Sequence, residues 1–185
     1  MTTAEVSKLH IEIRDITREE IIKIWAIDRG EVIENTYSIQ NGKLILKPDY
    51  YDMKGWPSGE SEHYTPILID CFNRGGTFLG AFQNGKLIGI MVLDNKFIGT
   101  QKDSVQLKFL YIDKIYRKQG LGVMLFNKAV VRVQEMNAAK IYISATPSEN
   151  TVNFYLNRGC VLAKELDRVL FELEPKDIHL EYAIP

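Results

Sequence analysis

Between Tyr111 and Val123 an apolar run carrying Leu107, Phe109, Leu110 and Ile112 passes through Arg117-Lys118-Gln119-Gly120-Leu121-Gly122 into a segment with helical spacing, Leu121, Met124, Leu125, Val130 and Val131. Glycines at a strand-to-helix junction remove Cβ atoms where a ligand must approach the backbone. The first amides of the helix point outward at the positive end of its dipole. Arg117, Lys118 and Lys128 add a local basic patch. Such a junction can cradle a phosphate. A plain tight turn would use the same residues, so neighbouring motifs must decide between the two.

Two familiar phosphate motifs are excluded. The dinucleotide fingerprint needs a third glycine and an acidic residue about 20 residues on; here the third position is Leu125, and the later region offers Asn137 to Lys140. A P-loop needs Gly-Lys-Ser/Thr, which the chain lacks. Downstream of the cradle, Lys140 to Ser144 reads as a strand, and Ser148-Glu149-Asn150-Thr151-Val152-Asn153-Phe154-Tyr155-Leu156-Asn157-Arg158-Gly159 follows it.

The order of strand, Arg-x-x-Gly-x-Gly, helix, strand and tyrosine-bearing helix resembles the GNAT superfamily of N-acetyltransferases over roughly Gly76 to Tyr182. The resemblance implies an α/β fold with a mixed, largely antiparallel central sheet, splayed at the coenzyme strand and flanked by helices. It implies acetyl-CoA as the acetyl donor. Its pyrophosphate would rest on backbone amides of Lys118, Gln119, Gly120, Leu121, Gly122 and Val123, with Arg117 as a charge-assisted partner. Amides of Tyr111, Ile112 and Asp113 would bind pantetheine and polarise the thioester carbonyl. Tyr155 falls where the family often places its general acid, and Asn153 is a candidate for a coenzyme hydrogen bond. Ser148 stands where relatives often have asparagine, which weakens the transfer of a pantetheine contact to it. Cys160 replaces the common phenylalanine after Gly159, a matter of packing.

Two roles stay open for several of these residues. Tyr155 beside Phe154 on an amphipathic helix also suits core packing with its hydroxyl at the rim. Asn153 also suits a solvated helix face, and Arg158 could meet the nucleotide phosphate or lie exposed on that face. Acetyl transfer to an amine needs a neutral nucleophile, a stabilised oxyanion and a proton for the thiolate. Tyr155 could supply that proton. The base is not fixed by the sequence: Glu31, Glu34, Asp52, Glu60, Glu62 and Asp113 all qualify. Cys160 has no adjacent histidine for a ping-pong acyl-enzyme, so direct transfer is expected. The mixture of carboxylates with Tyr37, Tyr50, Tyr51, Trp56 and Tyr64 fits either a cleft for a cationic amine or a hydrophobic cluster tying a hairpin down. The expected acceptor is a small-molecule primary amine. A protein or peptide amine, or a non-catalytic acyl-CoA sensor, are the alternatives.

Composition narrows the class. The chain has 185 residues, 45% hydrophobic and 25% charged, with a net charge of -1. These values suit one domain, residues 1–185, and argue against a broad nucleic-acid or membrane-surface partner. Within it, residues 1–75 would form the acceptor side with a hairpin insertion, and residues 76–185 the acetyl-CoA-binding core. Met1 to Ser7 is polar and no stretch is long enough to span a bilayer, so a cytoplasmic location is expected. Cys71 and Cys160 form neither a disulfide framework nor a metal cluster, and His10, His63 and His179 lack zinc spacing, so no metal is expected.

The positioning elements follow from periodicity. Leu9 to Ile16 alternates as a strand. A capping box, Thr17 and Glu20, opens a helix over about Arg18 to Asp28. Asn41-Gly42 marks a hairpin within Tyr37 to Leu46, and Pro48 to Gly59 reads as an ordered loop. Thr65-Pro66 would start a short helix ending before Gly75-Gly76. Strands follow at Phe78 to Phe82, Leu87 to Leu93 and Val105 to Asp113, with a break at Asn95. Then come a helix at Leu121 to Glu135, a strand at Ile141 to Ala145, a helix at Glu149 to Asn157, and strands at Val161 to Glu165 and Ile178 to Ile184. Exposed late strand edges, Val161 to Ile184, would permit a homodimer.

Overall fold

The structure, a computed structural model, describes residues 11–185. Strand β1 (Glu12–Asp15) leads into a 3-10 helix, Arg18–Ala26, opened by the Thr17/Glu20 capping box. Leu9 and His10 lie outside the described residues. The helix is tighter and shorter than its apolar spacing predicts, ending where Ile27 turns extended. Strands β2 (Glu31–Gln40) and β3 (Lys43–Met53) pair as a separate hairpin around Asn41-Gly42, both with positive φ.

This hairpin is longer than its turn signal shows. Pro48 to Met53, expected in a loop, belong to β3. Pro48 pairs with Asn35 beside a register irregularity, a position where a residue without an N–H costs the ladder little. Helix α1 (Glu60–Asn73) begins at Gly59 and not at Thr65-Pro66, leaving Pro66 inside it. The Thr65 hydroxyl accepts from Trp25 Nε1 at 2.9 Å and donates to the Ser61 carbonyl. Tertiary contacts to the 3-10 helix thus hold a turn that local preference would have ended.

Strands β4 (Thr77–Gln83), β5 (Lys86–Ile98) and β6 (Ser104–Ile112) are followed by a 3-10 turn, Lys114–Tyr116, and helix α2 (Leu121–Glu135). Strand β7 (Lys140–Ala145), helix α3 (Glu149–Leu156), strand β8 (Val161–Leu162), helix α4 (Arg168–Leu173) and strand β9 (Ile178–Ala183) complete the chain. The break expected at Asn95 is an irregularity inside β5, between Leu93 and Phe97. Helix α4, capped by Asp167 accepting from the Leu170 amide at 3.1 Å, carries no clear sequence signal.

Seven strands form one mixed, largely antiparallel sheet in the order β1-β4-β5-β6-β7-β9-β8. Among the described residues only β6 and β7 pair in parallel, over three residues, Ser104 to Gln106 against Lys140 to Tyr142. Beyond that, β6 stays with β5 and β7 stays with β9, so the sheet splays into a gap. On one face α2 and α3 pack Leu125, Phe126, Ala129 and Val152 against Val105, Ile141 and Ile143. On the other, Ile21, Ile24, Leu68 and Cys71 cover Phe78, Ile90, Val92 and Phe109. Covered on both faces, β4 and β5 read as continuous apolar runs without alternation. Strand β9 lies between β7 and β8, and the two-residue β8 covers β9 only at Leu180 and Glu181.

Candidate active site

The cradle is built at the junction of β6 and α2. Lys118 and Gly120 both have positive φ, at 60° and 84°, and this double reversal turns the chain into α2. Gly120 caps the helix without a side chain, so the first-turn amides of Leu121, Gly122 and Val123 have no capping acceptor. Gly120, Gly122, Val123 and Lys118 line a cleft of about 700 Å³ together with Ile112, Phe154 and Tyr155. A Cβ on Gly122 would project among Phe154 and Ile112, both lining that cleft, at 3.4 to 3.7 Å. Open donors, a positive helix end and a lysine at one mouth suit the pyrophosphate of acetyl-CoA.

Three expected residues contribute differently. Gln119 turns its amide back to the Ile115 carbonyl at 3.0 Å, on the exposed side. Leu121 is buried beneath the cradle against Ala81 and Ile88. The Arg117 guanidinium is not a free charge: its Nε donates to the Ile112 carbonyl at 3.0 Å and NH1 to the Gly30 carbonyl at 3.2 Å. It ties the end of β6 to the start of β2, with one face left toward the cleft.

The unpaired edge of β6 decides which amides face the gap. The Asp113 amide donates to the Ile88 carbonyl at 2.9 Å, so it points at β5. Backbone groups alternate between the two edges of a strand, so the Tyr111 amide also faces β5 and the Ile112 and Leu110 amides face the gap. The Ile112 carbonyl, held by Arg117 on that side, agrees. The expectation that Asp113 contacts pantetheine is therefore corrected. Its side chain, 2% exposed, accepts from Lys86 at 3.0 Å and caps Ile115. Tyr111 lines the cleft, and its amide faces β5.

Tyr155 projects from α3 into the core beside Phe126 and Phe154 and is 6% exposed, yet it lines the cleft. The ring is packed in the core and the residue reaches the rim of the cleft, the position that either role needs. Among the described residues its hydroxyl has no hydrogen-bond partner. Burial, then the proximity of Tyr111, Cys160 and Asp177, keeps the phenol well above its ordinary range and protonated. Cys160 lies in the core with its thiol pushed up to about 12 by burial.

Asn153, expected on the coenzyme, accepts from the Tyr37 hydroxyl at 2.9 Å. The hairpin causes this. Strand β2 lies along α3, with Asn35 donating to Glu149, Asn150 donating to Glu31, and the Tyr37 amide bonded to the Pro147 carbonyl. Ser148 caps α3 through the Thr151 amide. Tyr50 and Tyr51 face outward, whereas Trp56 and Tyr64 join Trp25, Phe109 and Tyr111 in an aromatic cluster.

On that aromatic face lies a polar group whose members sit far from the cradle in sequence. Arg29, 7% exposed, stacks over Trp56 and Tyr111 and reaches Glu60 at 3.2 Å. Burial raises the Glu60 carboxyl above its usual range, with Arg29 opposing. Tyr64 donates to Glu174, and Ser144 donates to Asp177 at 2.8 Å. Burial pushes Asp177 up to about 6 against that hydrogen bond. No sequence motif marks Arg29, Ser144, Glu174 or Asp177. The one available signal was Ser144 at the end of the strand after the cradle.

The cradle lies at a splayed parallel pair with a tyrosine at the gap, an arrangement suited to the phosphates of an acyl-coenzyme A. The acetyltransferase (GNAT) family model matches residues 43–160, and the chain belongs to that family. It is an acetyltransferase that uses acetyl-CoA. Its fold is similar to that of nourseothricin acetyltransferase at 15% identity, TM-score 0.71, covering 95% of this chain and 99% of the other. A protein assigned as a streptothricin acetyltransferase of Bacillus anthracis, solved with acetyl coenzyme A, matches at 16% identity and TM-score 0.67, covering 95% and 98%. The PaiA N-acetyltransferase of Thermoplasma acidophilum, solved with coenzyme A, matches at 19% and 0.62, covering 94% and 99%. No curated protein sequence matches significantly. Among the described residues no helix is long and apolar enough to cross a membrane, and no His, Cys, Asp and Glu group could hold a metal.

Proposed function

We propose that the chain transfers the acetyl group of acetyl-CoA directly to a primary amine of a small molecule. The observation that carries this reading is the gap between β6 and β7, with a Tyr155 hydroxyl unpartnered among the described residues on one side and half-buried carboxylates on the other. When bound, acetyl-CoA supplies an activated acyl carbon. The open amides of Leu121, Gly122 and Val123, with Lys118, hold its phosphates. The Ile112 and Leu110 amides lie along the gap where pantetheine and the thioester oxygen would run. Tyr155 gives a proton to the departing sulfur. A phenol held above its usual range keeps its proton and passes it on as the acceptor nitrogen replaces it.

Arg29, Trp56 and Glu60 support residues 1–75 as the acceptor side and residues 76–185 as the coenzyme core. Structures of antibiotic acetyltransferases and of a ribosomal-protein-S18-alanine N-acetyltransferase share this fold, so the small-amine reading rests on the aromatic and carboxylate lining of the acceptor side. Two buried free thiols fit a cytoplasmic enzyme.

The test is CoA release from acetyl-CoA over a panel of spermidine, kanamycin, streptothricin, free amino acids and a peptide with a free N-terminus. Amine-dependent release with one small molecule is expected. Release with the peptide alone would replace the acceptor class. Tyr155→Phe, which keeps the ring contacts with Phe126 and Phe154, should lower kcat by about 10²- to 10⁴-fold with CoA affinity unchanged.

A further inference from the structure

We infer that Asp177, held by Ser144 at the end of β7, takes the proton from the acceptor's ammonium, and that the acceptor arrives as a cationic amine. The inference rests on the transferase reading above.

The faces of β7 carry the argument. Ile141, Ile143 and Ala145 belong to the core under α2 and α3, with Tyr155. Side chains alternate along a strand, so Tyr142 and Ser144 point to the opposite face, and Asp177, bonded to Ser144, lies there with them. On β6 the same alternation puts Phe109 and Tyr111 with the aromatic cluster on that opposite face. Tyr155 and Asp177 therefore flank the gap from opposite sides of the sheet, close enough that the Asp177 charge bears on the Tyr155 phenol. Tyr155, 6% exposed and with no partner for its hydroxyl among the described residues, lines the gap from its side. A proton acceptor on one side and a donor on the other is the arrangement that direct transfer across a thioester requires.

The other carboxylates are committed elsewhere. Glu31 accepts from Asn150, Asp113 is held by Lys86, and Glu60 is paired with Arg29. Glu34 is exposed, Asp52 pairs with Lys54, and Glu62 bonds Ser61 on the surface. Glu174 and Asp177 have no basic partner within ion-pair distance among the described residues; Glu174 accepts from Tyr64. The charges of Glu174, Glu60 and Arg29 bear on Asp177, and that of Asp177 bears on Tyr111 and Tyr155, so around it carboxylates outnumber the one guanidinium. The cleft itself is lined by Arg29, Lys108, Lys114, Arg117 and Lys118, so it is this group of carboxylates behind Ser144 that favours an ammonium on the acceptor side.

The protons balance. The ammonium gives its first proton to the Asp177 carboxylate, from which it passes to water. The neutral nitrogen then forms the N–C bond to the acetyl carbonyl as the C–S bond breaks. Tyr155 protonates the sulfur and is itself reprotonated by the second proton that the nitrogen loses. Amide, thiol and one released proton result.

The experiment is the pH profile of kcat/KM, with the best amine of the panel, for the wild type, Asp177→Asn and Ser144→Ala, and CoA titration calorimetry on each. The wild type should show an acid limb near pH 6. Asp177→Asn should lose at least 100-fold in kcat/KM and lose that limb, with CoA affinity unchanged. Ser144→Ala, which removes a hydrogen bond favouring the carboxylate, should move the limb to higher pH. An active wild type whose Asp177→Asn variant retains rate and limb overturns this inference alone. If Asp177→Asn fails to bind CoA, an unmoved limb in Ser144→Ala overturns it. A wild type inactive toward every amine overturns the transferase reading and this role with it.

Discussion

Replacing Gly122 with alanine separates an anion cradle from a plain turn. The φ of Gly122 is not positive, and the added Cβ would meet Phe154 Cε2 at 3.4 Å and Ile112 Cγ1 at 3.7 Å, ordinary contact distances. The fold therefore accepts the methyl, and glycine-to-alanine in a helix gains about 0.5–1 kcal/mol. In a chain of this size that raises Tm by about 1–4 °C. Both contacted residues line the cleft, so the methyl occupies space that a phosphate oxygen needs beside the Gly122 amide. Losing one charge-assisted hydrogen bond costs about 1.5–3 kcal/mol, a rise in the CoA Kd of about 10- to 150-fold. Thermal melting and calorimetric titration with CoA read the two effects separately. A stabilised variant that binds CoA as tightly as the wild type would refute the placement of the phosphates.

Gly120→Ala should behave oppositely in stability: nothing crowds its Cβ, but its φ of 84° costs a side chain about 1–2 kcal/mol, and thermal melting should fall by about 2–8 °C. Asp94→Asn should destabilise the protein by about 3–5 kcal/mol in urea unfolding, because buried Asp94 accepts from Arg74 at 2.9 Å and Lys108 at 3.0 Å. Burial opposes ionisation there, yet these cations hold the carboxyl well below its usual range. Its contribution is then complete above about pH 4 and drains as pH falls through the lowered folded value. Asp177→Asn should do the reverse. The folded carboxyl is raised to about 6, so its ionisation costs the wild type stability as pH rises from about 4 to 6, and the variant should be more stable by on the order of 1–3 kcal/mol at pH 8, with no gain near pH 4. Chemical unfolding at both pH values checks it.

The hairpin at Asn41-Gly42 was legible from its turn, but its length was not. Exposed Tyr50 and Tyr51 follow turn-forming Pro48-Asp49, and only pairing with β2 makes that segment a strand. Helix α1 was misplaced at Thr65-Pro66 because a local cap signal there is as good as any. The contact from Trp25, forty residues away, outweighs it. The carboxylates of residues 31–62 were legible as candidates, yet nothing local says which keep a charge partner.

What the sequence determined by itself is the cradle and its neighbours: Arg117 to Gly122, helix α2 over its full length, and the tyrosine-bearing α3. These are local features, a glycine-enforced reversal followed by helical periodicity, and local backbone preference decides them. The tertiary structure decided the rest. It chose the Ile112 amide over those of Tyr111 and Asp113, because edge alternation is set by pairing with β5. It gave Asn153 to Tyr37, and it placed Asp177 beside Ser144 at the gap. Each of these depends on which strand or hairpin lies alongside, a long-range fact that no window of sequence contains.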